Sequence, residues 1–187
     1  MPQIFGDFIE PDDNLEFLII RFSPYAVPGQ SRWDNNSLSA DFMADYWAPF
    51  FSEDMHALHN KQSEAQNIIS YIANELIENG VKYGHEHTKQ EIVISSYLSC
   101  NQVRFYLTNT IDQKTVLYFQ REIKKLLTED TVELQMRQIQ KTGGRTSSGL
   151  GFLTMINHYQ AQLAWKFETI QTKPEIIEVT TMVVVSM

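Results

Sequence analysis

The sequence predicts an α+β fold whose helices and strands suit a two-layer sandwich. Three observations predict it. Five segments carry strand signals: Glu16 to Phe22, Glu91 to Leu98, Val103 to Thr108, Gln162 to Thr169 and Ile176 to Val185. Two successive pairs of these are separated by short turns, Ser99 to Gln102 and Lys173-Pro174, as in antiparallel hairpins. Helical periodicity occupies the stretches between them.

The elements follow in chain order. Glu16 to Phe22, EFLIIRF, is a short apolar run that Ser23-Pro24 and Pro28-Gly29 close. Residues 30 to 36, QSRWDNN, read as irregular. Ser37 or Ser39 would cap a helix running to Ala48, ended by Pro49. Its stripe of Phe42, Met43, Tyr46, Trp47 and Phe50 reads as core, with a partner or dimer surface as the alternative. A helix from near Asp54 to Tyr83 carries a break around Asn60. Thr115 to Leu127, Thr131 to Ile139 and Leu150 to Tyr159 also have helical patterns. Gln162 to Thr169 alternates Leu163, Trp165 and Phe167, and Ile176 to Val185 is β-branched at its centre.

Composition bounds the function. A chain of 187 residues suits one domain, or one domain with an extension. The boundary is placed near residue 52: residues 1 to 52 form an extension, and 53 to 187 the main domain. The 43% hydrophobic content supports a core, and the net charge of −8 argues against a nucleic-acid binder or an anionic membrane surface. Cys100 is the single cysteine, so no intramolecular disulfide forms and a cytoplasmic location is expected. The acidic first twenty residues do not read as a signal peptide, and no apolar run approaches a membrane span. His56 and His59, and His85 and His87 beside Glu86, read as solvated rather than metal-binding, because no ligand set is complete.

One polar residue is out of place. In EAQNIISYIANELIENGVKYG, Glu64 to Gly84, apolar residues at Ala65, Ile68, Ile69, Ile72, Ala73, Leu76 and Gly80 fall on one helical face. Asn79 lies on that face beside Leu76, and Glu75 lies one turn earlier on its shoulder. A primary amide turned towards a core needs hydrogen-bond partners. A metal ion, its waters or a ligand would supply them; a helix-end amide in solvent is the plainer reading.

A second segment is glycine-rich: KTGGRTSSGLGFLTMINHY, Lys141 to Tyr159, holds Gly143, Gly144, Gly149 and Gly151, half of the eight glycines in the chain. A glycine turn opening a helix presents unpaired N–H groups at the positive end of the dipole, a site for phosphate. It is neither a P-loop nor a dinucleotide fingerprint.

Together these segments resemble the GHKL (Bergerat-fold) ATPases. Glu75-Leu76-Ile77-Glu78-Asn79-Gly80-Val81-Lys82-Tyr83 is similar to their N-box, and Ser148-Gly149-Leu150-Gly151-Phe152 to their G2 box. The similarity covers about residues 60 to 187, nearest in size to the small anti-sigma-factor serine kinases. Arg32 to Phe42 also resembles an Arg-Trp-x-Asn-Asn-x-Leu-Ser-Ala-Asp-Phe stretch found in a group of bacterial proteins. The family's glycine-containing adenine loop is replaced by Leu107-Thr108-Asn109-Thr110-Ile111-Asp112-Gln113, which has no glycine.

The resemblance selects the Bergerat sandwich and implies ATP and Mg²⁺ as cofactors, with another nucleotide or a flavin as the alternative. It implies that Asn79 is the Mg²⁺ ligand and Glu75 the general base, and that Lys82 and Arg145 meet phosphate. Ser148, Gly149, Leu150 and Gly151 would cradle the phosphates, with Thr142 to Ser148 as a lid. Asn109, favoured for its place at a strand end, or Asp112 would read the base. The implied function is a partner-switch signalling protein, either a serine/threonine kinase acting on a STAS-domain anti-sigma-factor antagonist or a ligand-gated binding module without turnover. A STAS-domain protein or sigma-pathway regulator is the expected partner, and a homodimer the expected state.

Overall fold

The computed structural model describes residues 1–23, 30–51, 58–84, 90–142, 149–173 and 175–187, with the side chains of 30–35, 58–61 and 142 left aside. Strands β1 (Gln3–Phe5) and β2 (Glu16–Phe22) precede helix α1 (Gln30–Trp47), a 3₁₀ turn over Ala48–Phe51 and helix α2 (Leu58–Tyr83). Then come β3 (Ile92–Ser99), β4 (Gln102–Ile111), α3 (Gln113–Thr128), α4 (Thr131–Thr142), α5 (Leu150–Tyr159), β5 (Gln162–Thr172) and β6 (Glu175–Ser186).

The strands form one six-stranded sheet in the order β1-β5-β6-β4-β3-β2, antiparallel at every pairing. Helices on one face complete a two-layer α/β sandwich. The pleat sends alternate residues to that face: Val103, Phe105, Leu107 and Ile111 from β4, Val179 and Val183 from β6, and Leu163, Trp165 and Phe167 from β5 join the main core. The opposite face carries a smaller cluster of Tyr97, Tyr106, Ala164, Met182 and Val184, with Phe8 and Leu15 packed on it. Burial pushes the Tyr106 phenol up to about 12, and it donates to the Ile9 carbonyl at 2.9 Å.

The apolar stripe of α2 is the spine of the helical layer. Ile69, Ile72, Ala73, Leu76 and Ile77 are fully buried. Gly80 continues the stripe because α2 nearly touches the sheet there: a Cβ would lie 2.9 Å from Leu107 Cδ2 and 3.2 Å from Ile92 Cγ2.

Five of the six strands match the sequence reading to within a few residues. The sixth, β1, is three residues long, too short to show alternation. Three details differ. Residues 30–36 are helical, not irregular, because α1 lies along α2 and tertiary packing supplies what the polar sequence lacks. No break occurs at Asn60, since α2 runs through it. β4 extends to Ile111 rather than Thr108, held by Thr110↔Glu178 and Ile111↔Ile177 pairing with β6.

The aromatic stripe of α1 divides. Met43 and Trp47 are buried, whereas Phe42 and Phe50 are exposed, because Ala40, Met43, Ala44 and Trp47 define the face towards α2 and the sheet. The indole Nε1 of Trp47 donates to Ser96 Oγ at 2.8 Å inside the core, and Tyr46 donates to Glu16 Oε1 at 2.6 Å. Residues 1–51 thus supply both edge strands and one helix of the layer. Cys100 sits exposed in the two-residue turn between β3 and β4, in a left-handed conformation.

Candidate functional site

The C-terminal half of α2, the N-terminus of α5, helices α3 and α4 and the centre of the sheet enclose a cavity of about 1050 Å³. Its floor is buried and mostly apolar: Leu76, Leu107, Ile111 and Val179. Two polar residues interrupt it, Asn109 and Thr181, only 5% and 4% exposed. Its rim is charged, with Glu78, Lys82, Arg121, Glu122, Lys125 and Lys141.

Seven of the residues singled out in the sequence meet at this cavity: Glu75, Asn79, Lys82, Asn109, Gly149, Leu150 and Gly151. Asn79 sits one helical turn after Glu75 and is half-buried. The placement of Gly80 rules out a frayed helix end, since α2 continues in contact with the sheet beyond Asn79. Lys82 stacks its ammonium over the Tyr83 ring at 5.3 Å.

Glu75 is the most perturbed acid at the site. Burial raises its pKa, the neighbouring charge of Glu78 adds to the rise, and the Tyr71 hydroxyl and Lys82 partly offset it. Glu78 is itself tied to Asn74, whose Nδ2 donates to Glu78 Oε1 at 2.9 Å.

Helix α5 begins against this carboxylate. Gly149 takes a left-handed φ of 99° at the N-cap, a conformation that disfavours residues with a side chain. At Gly151 the constraint is space: a Cβ would overlap Glu75 Oε2 and lie 2.9 Å from its Cδ. The two glycines so bring the first-turn N–H groups of the α5 N-terminus, which have no partner within the helix, to the cavity wall beside Glu75. The far side of α5 is fixed to α4 by Asn157, which accepts from Thr131 Oγ1 at 2.6 Å and donates to Thr131 O at 3.0 Å and Gln135 Oε1 at 2.8 Å.

Other sequence-selected residues are placed differently. Asp112 does not line the cavity; it caps α3, its carboxylate accepting from Lys114 N at 3.2 Å. Asn109 lies within β4 opposite Val179, two residues before the strand end. Arg145, Ser148 and the rest of the lid from 143 to 148 lie outside the described residues, as do His56 and His85 to His87. Among the described residues no three His, Cys, Asp or Glu side chains converge as a metal site, and no helix is long and apolar enough to cross a membrane.

Sequence reasoning missed Thr181 and the cations Arg121 and Lys125. Thr181 was legible only as an outlying polar residue in a β-branched strand. Arg121 and Lys125, at i and i+4, mark a helix face but give no sign of which element lies opposite.

No protein-family model matches this chain, and no curated protein sequence matches it. In fold it is similar to a chain in the crystal structure of the SiaB–SiaC complex from Pseudomonas aeruginosa. The TM-score is 0.59 at 16% identity, over 91% of this chain and 89% of that one. At this identity the likeness is one of fold.

Proposed function

We propose that this protein is a nucleotide-binding signalling protein of the partner-switch type, which binds ATP with Mg²⁺ and transfers its terminal phosphoryl group to a serine or threonine of a STAS-domain partner. The observation that carries the reading is the convergence of Glu75 and Asn79 on α2 with the Gly149–Gly151 helix start at one cavity. The SiaB–SiaC likeness lends support for a protein partner, since that fold occurs there in a complex of two proteins.

The residues fit a phosphorylated ligand. The volume is at the upper limit of the range of small-molecule sites, the floor suits a flat ring, and the rim cations and the α5 N-terminus suit phosphate. Mg²⁺ prefers oxygen ligands and is usually held by one or two side chains together with phosphates and water. The Asn79 amide oxygen would be the protein's contribution, and the ion would neutralise charge on the phosphates. Glu75, its pKa raised by burial and Glu78, is a stronger base than an ordinary carboxylate. It would orient and deprotonate the attacking hydroxyl. Gly151 keeps that carboxylate beside the helix start.

A second reading has its own observation. β4 runs unbroken to Ile111 and Asp112 caps the next helix, so no glycine loop lets the backbone approach a base. This favours a ligand-gated binding module without turnover, taking another nucleotide or a flavin.

Calorimetry with ATP and Mg²⁺, followed by a transfer assay with labelled ATP and a STAS-domain substrate, separates the two. The kinase reading expects Mg²⁺-dependent binding that Asn79→Ala weakens at least about tenfold, and label on the partner. Binding without transfer selects the module. Unchanged affinity in Asn79→Ala removes the metal-ligand role.

A further inference from the structure

Tyr71 stands one turn before Glu75 on the same face of α2, and both line the cavity. Side chains on a helix lean towards its N-terminus, so the Glu75 side chain leans back over Tyr71. The phenol is fixed by α5. Its ring packs on Tyr159, with centroids 5.3 Å apart, and its hydroxyl is hydrogen-bonded to Thr154 as well as to Glu75. An ionised carboxylate only accepts, so the phenol donates to Glu75 and accepts from the Thr154 hydroxyl.

The run of donors continues into α4. Thr154 Oγ1 accepts from Gln135 Nε2 at 3.5 Å, and Gln135 Oε1 accepts from Asn157 Nδ2 at 2.8 Å. Asn157 is itself tied to Thr131 at the start of α4. The donors all point one way, from Asn157 through Gln135, Thr154 and Tyr71 to the carboxylate, so each bond polarises the next. On its other side the carboxylate meets Gly151, where a Cβ would overlap Glu75 Oε2. Glu75 is thus held between a donor on its own helix and the first turn of α5.

Resting on the kinase reading above, we propose that Tyr71 is the positioning residue of Glu75: its hydroxyl, anchored through Thr154 and Gln135 to α4, keeps the carboxylate at the α5 N-terminus. A free glutamate has many rotamers to sample, and a misplacement of about 1 Å can cost on the order of a hundredfold in rate. The hydroxyl of Tyr71 is taken up by Thr154 and Glu75, so its effect falls on turnover and not on affinity for the nucleotide.

The test is Tyr71→Phe on the full chain, read in two ways. The first is melting. Gly151→Ala pushes on the end of Glu75, which in the wild type is tied to Tyr71 and without the hydroxyl yields more easily. The change in Tm caused by Gly151→Ala should therefore be about 2–4 °C more favourable in the Tyr71→Phe background than in the wild type. The second is phosphoryl transfer from Mg²⁺-ATP to a STAS-domain substrate. There kcat should fall at least about tenfold while the KM for ATP stays within about twofold. Should Tyr71→Phe not fold, Thr154→Val, which removes the hydroxyl behind the phenol, takes its place in both measurements. Additive melting temperatures overturn the positioning role, as does an unchanged kcat or a rise in KM that accounts for the whole loss in kcat/KM. A wild-type chain that transfers no phosphoryl group overturns the kinase reading instead, and the melting cycle then decides by itself whether Tyr71 holds Glu75.

Discussion

The carboxylate of Glu75 occupies the space that a side chain on Gly151 would need. A Cβ there would overlap Glu75 Oε2. The relationship joins two segments 76 positions apart in the chain, and it couples the proposed base to the helix start that would meet the phosphates. A side chain on Gly151 would require the end of the Glu75 side chain to move.

Gly151→Ala tests that coupling. Alanine suits a helix better than glycine by about 1 kcal/mol, so in an Glu75→Ala background, where the space is free, Gly151→Ala should raise the melting temperature. In the wild-type background the overlap with Glu75 should cancel or reverse that gain. Under the proposed kinase reading, displacing the carboxylate should cost at least about a hundredfold in phosphoryl transfer. A double-mutant cycle by thermal denaturation reads the coupling directly. Additive effects would show that the two residues do not compete for space.

The protonation of Glu75 gives a pH-dependent prediction. Its pKa is higher in the fold than in the unfolded chain, because burial and Glu78 disfavour the charge. Between the unfolded and folded values the native state binds more protons, so stability falls as pH rises through that window. Glu75→Gln removes the titration. The variant should be the more stable form at neutral pH, with its advantage shrinking as pH falls from the raised folded value to the ordinary carboxylate value and gone below it. Denaturant melts of both proteins at pH 4 and pH 7 check the sign. A gap that stays constant between the two pH values would mean that Glu75 is solvated as in the unfolded chain.

The buried polar contact of α1 gives a third prediction. Trp47→Phe keeps most of the apolar volume but removes the Nε1 donor to Ser96 Oγ. The cost should be about 1–3 kcal/mol, since a buried hydroxyl loses its partner. Ser96→Ala in the same background should cost less than it does alone. Urea denaturation of the four proteins measures this, and equal cost of Ser96→Ala in both backgrounds would deny the bond.

Much of the fold was legible because its signals are local. The α2 stripe follows helical period from Ala65 to Gly80, and β5 shows its alternation in Leu163, Trp165 and Phe167. The site was legible in part for the same reason: Glu75 and Asn79 are one turn apart on a helix, and Gly149 and Gly151 open another. What stayed hidden depends on distant partners. Residues 30–36 carry no apolar period, and β1 exists because Phe5 pairs opposite Trp165. Asn109 read as a strand end because Asn109 and Asp112 are residues that turns favour, but pairing with β6 carries β4 past it and leaves Asp112 to cap α3. Thr181 becomes a site residue only through the register that sets it diagonal to Asn109.

The N-terminal segment provides the last prediction. β1 pairs with β5 and β2 with β3, so residues 1–51 cover both edges of the sheet, while α1 packs along α2 and buries Ala40, Met43, Ala44 and Trp47. Deleting residues 1 to 52 would leave β3 and β5 as bare edges, a template for pairing between chains. It would also return the apolar surface under α1 to water, where each large side chain counts for about 1.5–3 kcal/mol. Against a typical stability of about 5–15 kcal/mol, losing Met43 and Trp47 together with both edge strands removes a large share of what holds the remainder. The truncated protein should therefore aggregate or lack cooperative melting, as read by light scattering and circular dichroism. A soluble truncated chain that melts cooperatively would show that residues 53 to 187 fold alone and that the first 52 are an addition to a self-sufficient domain.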